Sequence, residues 1–79
     1  YPNPFNPTTR IRFTIPSSGF TTLKVYDVLG NEVATLVNQE MNSGSHETRW
    51  NATGMASGVY FYRLATSGVV ETKRMVVIR

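Results

Sequence analysis

The 79 residues carry eight Lys and Arg against five acidic residues, for a net charge of +3, with one histidine and no cysteine. That length suits one domain, and the missing cysteines exclude a disulfide staple, a thiolate ligand and a cysteine nucleophile, so an apolar face must hold the fold alone. No run approaches the roughly 20 apolar residues of a membrane-spanning helix, and the cations, spread as Arg10, Arg12, Lys24, Arg49, Arg63, Lys73, Arg74 and Arg79, form neither the cluster nor the reader motif of a nucleic-acid-binding protein.

The opening Tyr1-Pro2-Asn3-Pro4-Phe5-Asn6-Pro7 places three prolines in seven residues. Each proline fixes its own φ and pushes the preceding residue into extended geometry, which predicts a stiff, non-helical lead-in over residues 1–8 and a domain over 9–79. The chain begins without an initiator methionine or a signal peptide, as expected of the terminal piece of a longer protein.

Beyond the lead-in the pattern is period two. Ile11, Phe13 and Ile15 alternate with Arg10, Arg12 and Thr14, predicting a strand with one buried face, and Pro16-Ser17-Ser18-Gly19 breaks it. Phe20 to Val28 is expected as a second strand, with Leu23 and Val25 on one face and Thr22, Lys24 and Tyr26 on the other. Gly30-Asn31 is a turn signal, and Glu32 to Asn38 reads as the hairpin partner, inward through Val33 and either Val37 or Leu36. After a turn at Asn42-Ser43-Gly44, His46, Thr48 and Trp50 alternate with Glu47 and Arg49. Asn51 to Gly58 is loop-like, Gly58 to Leu64 is the strongest β stretch, Ser67-Gly68 turns, and Val69 to Ile78 is the last strand. Six clear strands with turn signals about every 10–14 residues predict an all-β, antiparallel sandwich of six to seven strands.

Candidate chemistry is sparse. His46 has no clustered second ligand type, which reads as a partly covered strand histidine and not a metal site. A nucleophilic triad would have to join it to the lone Asp27 without a G-x-S-x-G elbow, and the four glutamates show no glycosidase-like spacing. Gly54 and Gly58 lead into a strand, so they cradle no phosphate. Asn51-Ala52-Thr53 matches a glycosylation triplet that arises often by chance, and a calcium loop at Asn51 lacks carboxylates. No enzyme and no cofactor is expected. Trp50, Tyr60 and Tyr62 could form a sugar platform, but a core tryptophan and a corner tyrosine two residues after Gly58 fit a sandwich better. In that arrangement Tyr60, Tyr62 and Leu64 face inward and Phe61 outward.

The segments YPNPFNPTT, LKVYDVLGNEVATLV, ASGVYFYRL and ETKRMVVIR, in order along nearly the whole chain, closely resemble the type A C-terminal sorting domain of type IX (Por) secretion. The chain is also similar to the Ig-like domain of flagellar hook-capping proteins. The resemblance implies an Ig-like sandwich joined to an upstream cargo with its own signal peptide. It implies recognition by outer-membrane secretion machinery after passage through the periplasm, delivery to the cell surface or medium, and removal by a sortase-like peptidase in many members. Its signal-bearing positions fall on Gly58, Tyr60, Tyr62, Lys73, Arg74, Met75, Val77 and Arg79. One departure is Asn51, where the family often has aspartate. A monomer without nucleic-acid or membrane-spanning parts is expected; a structural spacer or a carbohydrate-binding accessory module is the alternative.

Overall fold

Alternation decides the strands. In β1 (Thr8–Ile15), Ile11, Phe13 and Ile15 are buried while Arg10, Arg12 and Thr14 are exposed, the period-two pattern of a strand with one covered face. The structure is a computed structural model that describes residues 8–78; of the lead-in expected over residues 1–8, residues 1–7 lie outside the described residues and Thr8 is the first residue of β1. Five further strands follow among the described residues: β2 (Gly19–Tyr26), β3 (Glu32–Met41), β4 (Gly44–Asn51), β5 (Gly58–Thr66) and β6 (Val69–Val77). They form two antiparallel sheets, β1-β4 and β3-β2-β5-β6, with no helix among the described residues. The all-β sandwich expected from the sequence is the architecture found.

The two sheets bury one apolar cluster of Ile11, Phe13, Ile15, Leu23, Val25, Trp50, Ala52, Tyr60, Leu64 and Val77. Each large aliphatic side chain taken fully out of water stabilises the fold by about 1.5–3 kcal/mol. Trp50 of β4 meets Tyr60 of β5 edge to face, with ring centroids 5.2 Å apart, a favoured aromatic geometry that ties the small sheet to the large one. One polar pair shares this interior. The hydroxyls of Thr21 and Thr66 lie 2.8 Å apart and both residues are buried, so each satisfies the other where water cannot reach.

Two departures from simple alternation have local causes. β2 ends at Tyr26 and not at Val28 because the Asp27 carboxylate captures the backbone: its Oδ1 accepts from Leu29 N and Asn31 N, each at 2.9 Å. Asp27 N also donates to Asn31 O at 3.0 Å, closing a tight loop. In β3 the register against β2 skips Leu36 and then Val33. Each bulge inserts one residue and flips the facing of the strand beyond it. As a result Val33, Ala34, Leu36 and Val37 all pack partly against the core.

Strand polarity collects the loops into two poles. At one end stand Thr8, Tyr26, Glu32, Asn51, Gly58 and Val77 with the Asp27 loop, since Thr8 pairs with Asn51 and Gly58 with Val77. The other end holds three connections stitched by serines. Ser18 Oγ accepts from Ser43 N at 3.1 Å, and Ser67 Oγ donates to Ser17 O at 2.9 Å. A Cβ at Gly19 would sit 2.6 Å from that Ser67 oxygen, so a larger residue there would push the Ser67 hydroxyl off its bond to Ser17.

Candidate functional site

No reactive constellation assembles among the described residues. His46 lies opposite Phe13 in the β1-β4 register, stacks on its ring at 5.6 Å, and its Nε2 is 2.8 Å from the Asn42 carbonyl. Asp27 is engaged in its own loop, and no group of three or more His, Asp or Glu side chains stands close enough to hold a metal. Asn51 Oδ1 accepts from the backbone N–H of Thr53 at 2.9 Å and from its hydroxyl, which makes it a turn former.

An open cleft of about 600 Å³ lies between the far halves of β1 and β4 and the inward side of β6. Phe13 and His46 are among its lining residues, with Arg12–Glu47 (3.2 Å) and Lys73–Glu71 (4.0 Å) ion pairs there too. These pairs are solvent-exposed, contribute little to stability and supply no general base set against an acid.

The aromatic platform for sugars does not form. Trp50 is 4% and Tyr60 7% exposed, and the Tyr60 hydroxyl donates to the Ala56 carbonyl at 2.8 Å, four residues upstream. That bond fastens the 52–57 loop onto β5, as the corner-tyrosine reading predicts. Tyr60 and Leu64 face inward with the half-buried Tyr62, and Phe61 faces outward half-covered.

The residues expected to bear a recognition signal fall on one hairpin. β5 and β6 pair along their whole length, with Gly58 opposite Val77, Tyr60 opposite Met75, Phe61 opposite Arg74 and Tyr62 opposite Lys73. β6 is the sheet's edge. Within that set the environments divide. Tyr60 and Val77 belong to the core, Met75 packs partly against it, and Lys73 and Arg74 are exposed. Arg79 lies outside the described residues.

Sequence reasoning passed over the Asp27 loop as a site. Val28 and Leu29 at its tip are 65% and 82% exposed, although the loop beneath them is well ordered by hydrogen bonds. Asn31, through its backbone N–H above all, holds the Asp27 carboxyl below its ordinary range, while desolvation works against that and Leu29 and Gly30 add further N–H bonds. The Thr35 hydroxyl, at 2.7 Å, lowers Glu32 in the same way, with Lys24 at 3.4 Å adding to it. The signal available was the D-x-x-G-N spacing, whose aspartate can cap the turn it begins.

What remains is a small antiparallel sandwich with edges, loops and exposed side chains. Over residues 1–78 the chain matches the family described as the secretion system C-terminal sorting domain, and it belongs to that family. Such a domain is a sorting signal for type IX secretion, directing a linked upstream cargo across the outer membrane to the surface or the extracellular space, and the family is in general non-catalytic. No curated protein and no solved structure matches the chain.

Proposed function

We propose that the outer-membrane secretion machinery reads this domain in its folded form through the β5–β6 hairpin. Gly58, Tyr60, Tyr62, Lys73, Arg74, Met75, Val77 and Arg79 are the recognition positions. The observation that carries this reading is the edge of β6, which has no partner strand on its outer side among the described residues and bears the exposed Lys73 and Arg74. An unpaired edge offers backbone donors and acceptors for strand addition, and the two cations favour an acidic receptor rim. Tyr60 and Val77 act from within, by holding the hairpin on the core. On the same reading the domain works as a monomer, and a sortase-like peptidase separates it from its cargo at the surface.

The test is a reporter carrying a signal peptide and residues 1–79, expressed in a host with type IX machinery. Reporter in the medium or on the surface, lost when the translocon is disabled, supports the reading; a folded domain trapped in the periplasm overturns it. Deleting residues 76–79 abolishes export but also removes the core residue Val77. The cleaner variant is therefore Lys73→Glu/Arg74→Glu, which touches only exposed side chains. Undiminished export of that variant counts against β6 as part of the signal.

A further inference from the structure

The segment LKVYDVLGNEVATLV holds the hydrogen-bonded Asp27 loop, yet the hairpin reading gives that loop no task. The outer face of the four-stranded sheet supplies one. Tyr26 pairs with Phe61, and Phe61 with Arg74. One step closer to the pole, Val59 pairs with Val76 on the same outward face. Val28 and Leu29 come after Tyr26 at that pole, and Ile78 follows Val77, the last residue of β6, at the same pole. Val76 is 56% and Ile78 73% exposed. An apolar strip therefore crosses the outer face from the Asp27 loop to the last strand.

The strip's chemistry narrows its occupant. Arg63 and Arg74 stand beside it on the same face, and neither has an ion-pair partner among the described residues. Glu32, the nearby carboxylate of that face, is already engaged by Lys24 at 3.4 Å. An anionic lipid surface would meet the ionised Asp27 at the strip's end. A second copy related by a two-fold axis would bring four arginines together at the strip, where the nearest carboxylates, Asp27 and Glu32, are already engaged by the loop N–H groups and by Lys24. A protein groove with an apolar floor and acids confined to the rim beside Arg63 and Arg74 suits these features, because unlike a continuous anionic surface it need set no charge against Asp27.

We infer that the strip formed by Val28, Leu29, Val59, Val76 and Ile78, flanked by Arg63 and Arg74, is a docking surface for an apolar, acid-rimmed groove on a protein of the secretion machinery. This inference rests on the sorting reading and adds a face to it. The Asp27 hydrogen bonds hold the loop in its presenting shape before the partner arrives, so little ordering remains to be done on docking.

The experiment uses the same signal-peptide reporter with the full chain, comparing Val28→Ser/Leu29→Ser, Arg63→Gln/Arg74→Gln and the opposite-pole control Phe20→Ser/Val70→Ser. All six positions are exposed, and Trp50 fluorescence checks that each variant is folded. Exported reporter falls about tenfold in the first two variants and stays at the unsubstituted level in the control. Should the unsubstituted chain fail to export, the sorting reading itself fails. If it exports and the folded strip variants export equally well, or the control falls as far as they do, only the docking inference is overturned. Two binding measurements identify the occupant. The purified chain binds outer-membrane vesicles from the host but not from a translocon-deleted strain, and Val28→Ser/Leu29→Ser abolishes the binding. Strip-dependent binding to protein-free vesicles of anionic phospholipid, or a strip-dependent dimer in sedimentation, overturns it.

Discussion

Replacing Asp27 by asparagine separates the charge of its carboxylate from its size. The folded pKa lies below the ordinary value because Asn31 N–H, foremost, bonds the ionised form. The stability this bonding contributes is therefore present above the unfolded pKa and is lost as pH falls through the folded one. Asp27→Asn should flatten the thermal midpoint below about pH 4 relative to the unsubstituted chain, leaving the slope of the same sign that Glu32 contributes. Identical pH profiles would show that the loop's hydrogen bonds do not depend on ionisation. The buried threonine pair yields a different measurement. Thr21 Oγ1 also lies 3.3 Å from the Gly19 carbonyl, so it donates there and accepts from Thr66. Thr21→Val strands the Thr66 hydroxyl and costs about 1–3 kcal/mol in urea unfolding, whereas the Thr21→Val/Thr66→Val double variant costs less than the two single changes summed. Additive costs would mean the two hydroxyls are not coupled.

Among the elements, the clearest strands in the sequence are the ones whose backbone keeps a single register. β1 and β5 pair without a shift, so Ile11, Phe13, Ile15, Tyr60 and Leu64 announce their faces by alternation alone. β3 does not, because two inserted residues break the period and leave consecutive apolar side chains half-covered. The end of β2 was hidden for another reason: Val28 is β-branched and apolar, and only the hydrogen bonds to the Asp27 carboxylate show that the chain has already turned. Similarly, the hairpin that pairs the signal-bearing positions is written in the order of the strands, but the division between core and surface among them is not. Tyr60 and Lys73 look equally available in a string of letters, and the opposing β4, through Trp50, covers only the first. Tyr60→Phe tests the corner directly. It should lower stability by about 1 kcal/mol through the lost bond to Ala56, with the Trp50–Tyr60 ring contact retained.

At the scale of the whole molecule, ten buried apolar residues among those described, nine from the two sheets and Ala52 from the loop after β4, form one cluster with no covalent cross-link. Such a core is small, and a single large truncation consumes much of the available stability. Leu23→Ala, at a fully buried position of β2, should cost about 2–5 kcal/mol and leave the chain largely unfolded at growth temperature. Because each sheet is the other's only cover among the described residues, unfolding should be a single transition. Loss of Trp50 fluorescence, which reports on the β1-β4 sheet, and loss of the far-ultraviolet β signal should coincide on heating. An earlier loss at Trp50 would mean that the two-stranded sheet detaches on its own.

The placement of Thr8 and Val77 at one pole, on strands of different sheets, has a mechanical consequence. A chain held by its last strand and drawn by its first is loaded across its strands, not along them. Tension then falls on one ladder rung at a time, opening Thr8 from Asn51 and Val77 from Gly58 before any inner rung feels it. A domain that melts in one step on heating would thus peel from its ends under a weak pull. Its resistance to force would be set by a single residue pair, while its resistance to heat would be set by the whole core.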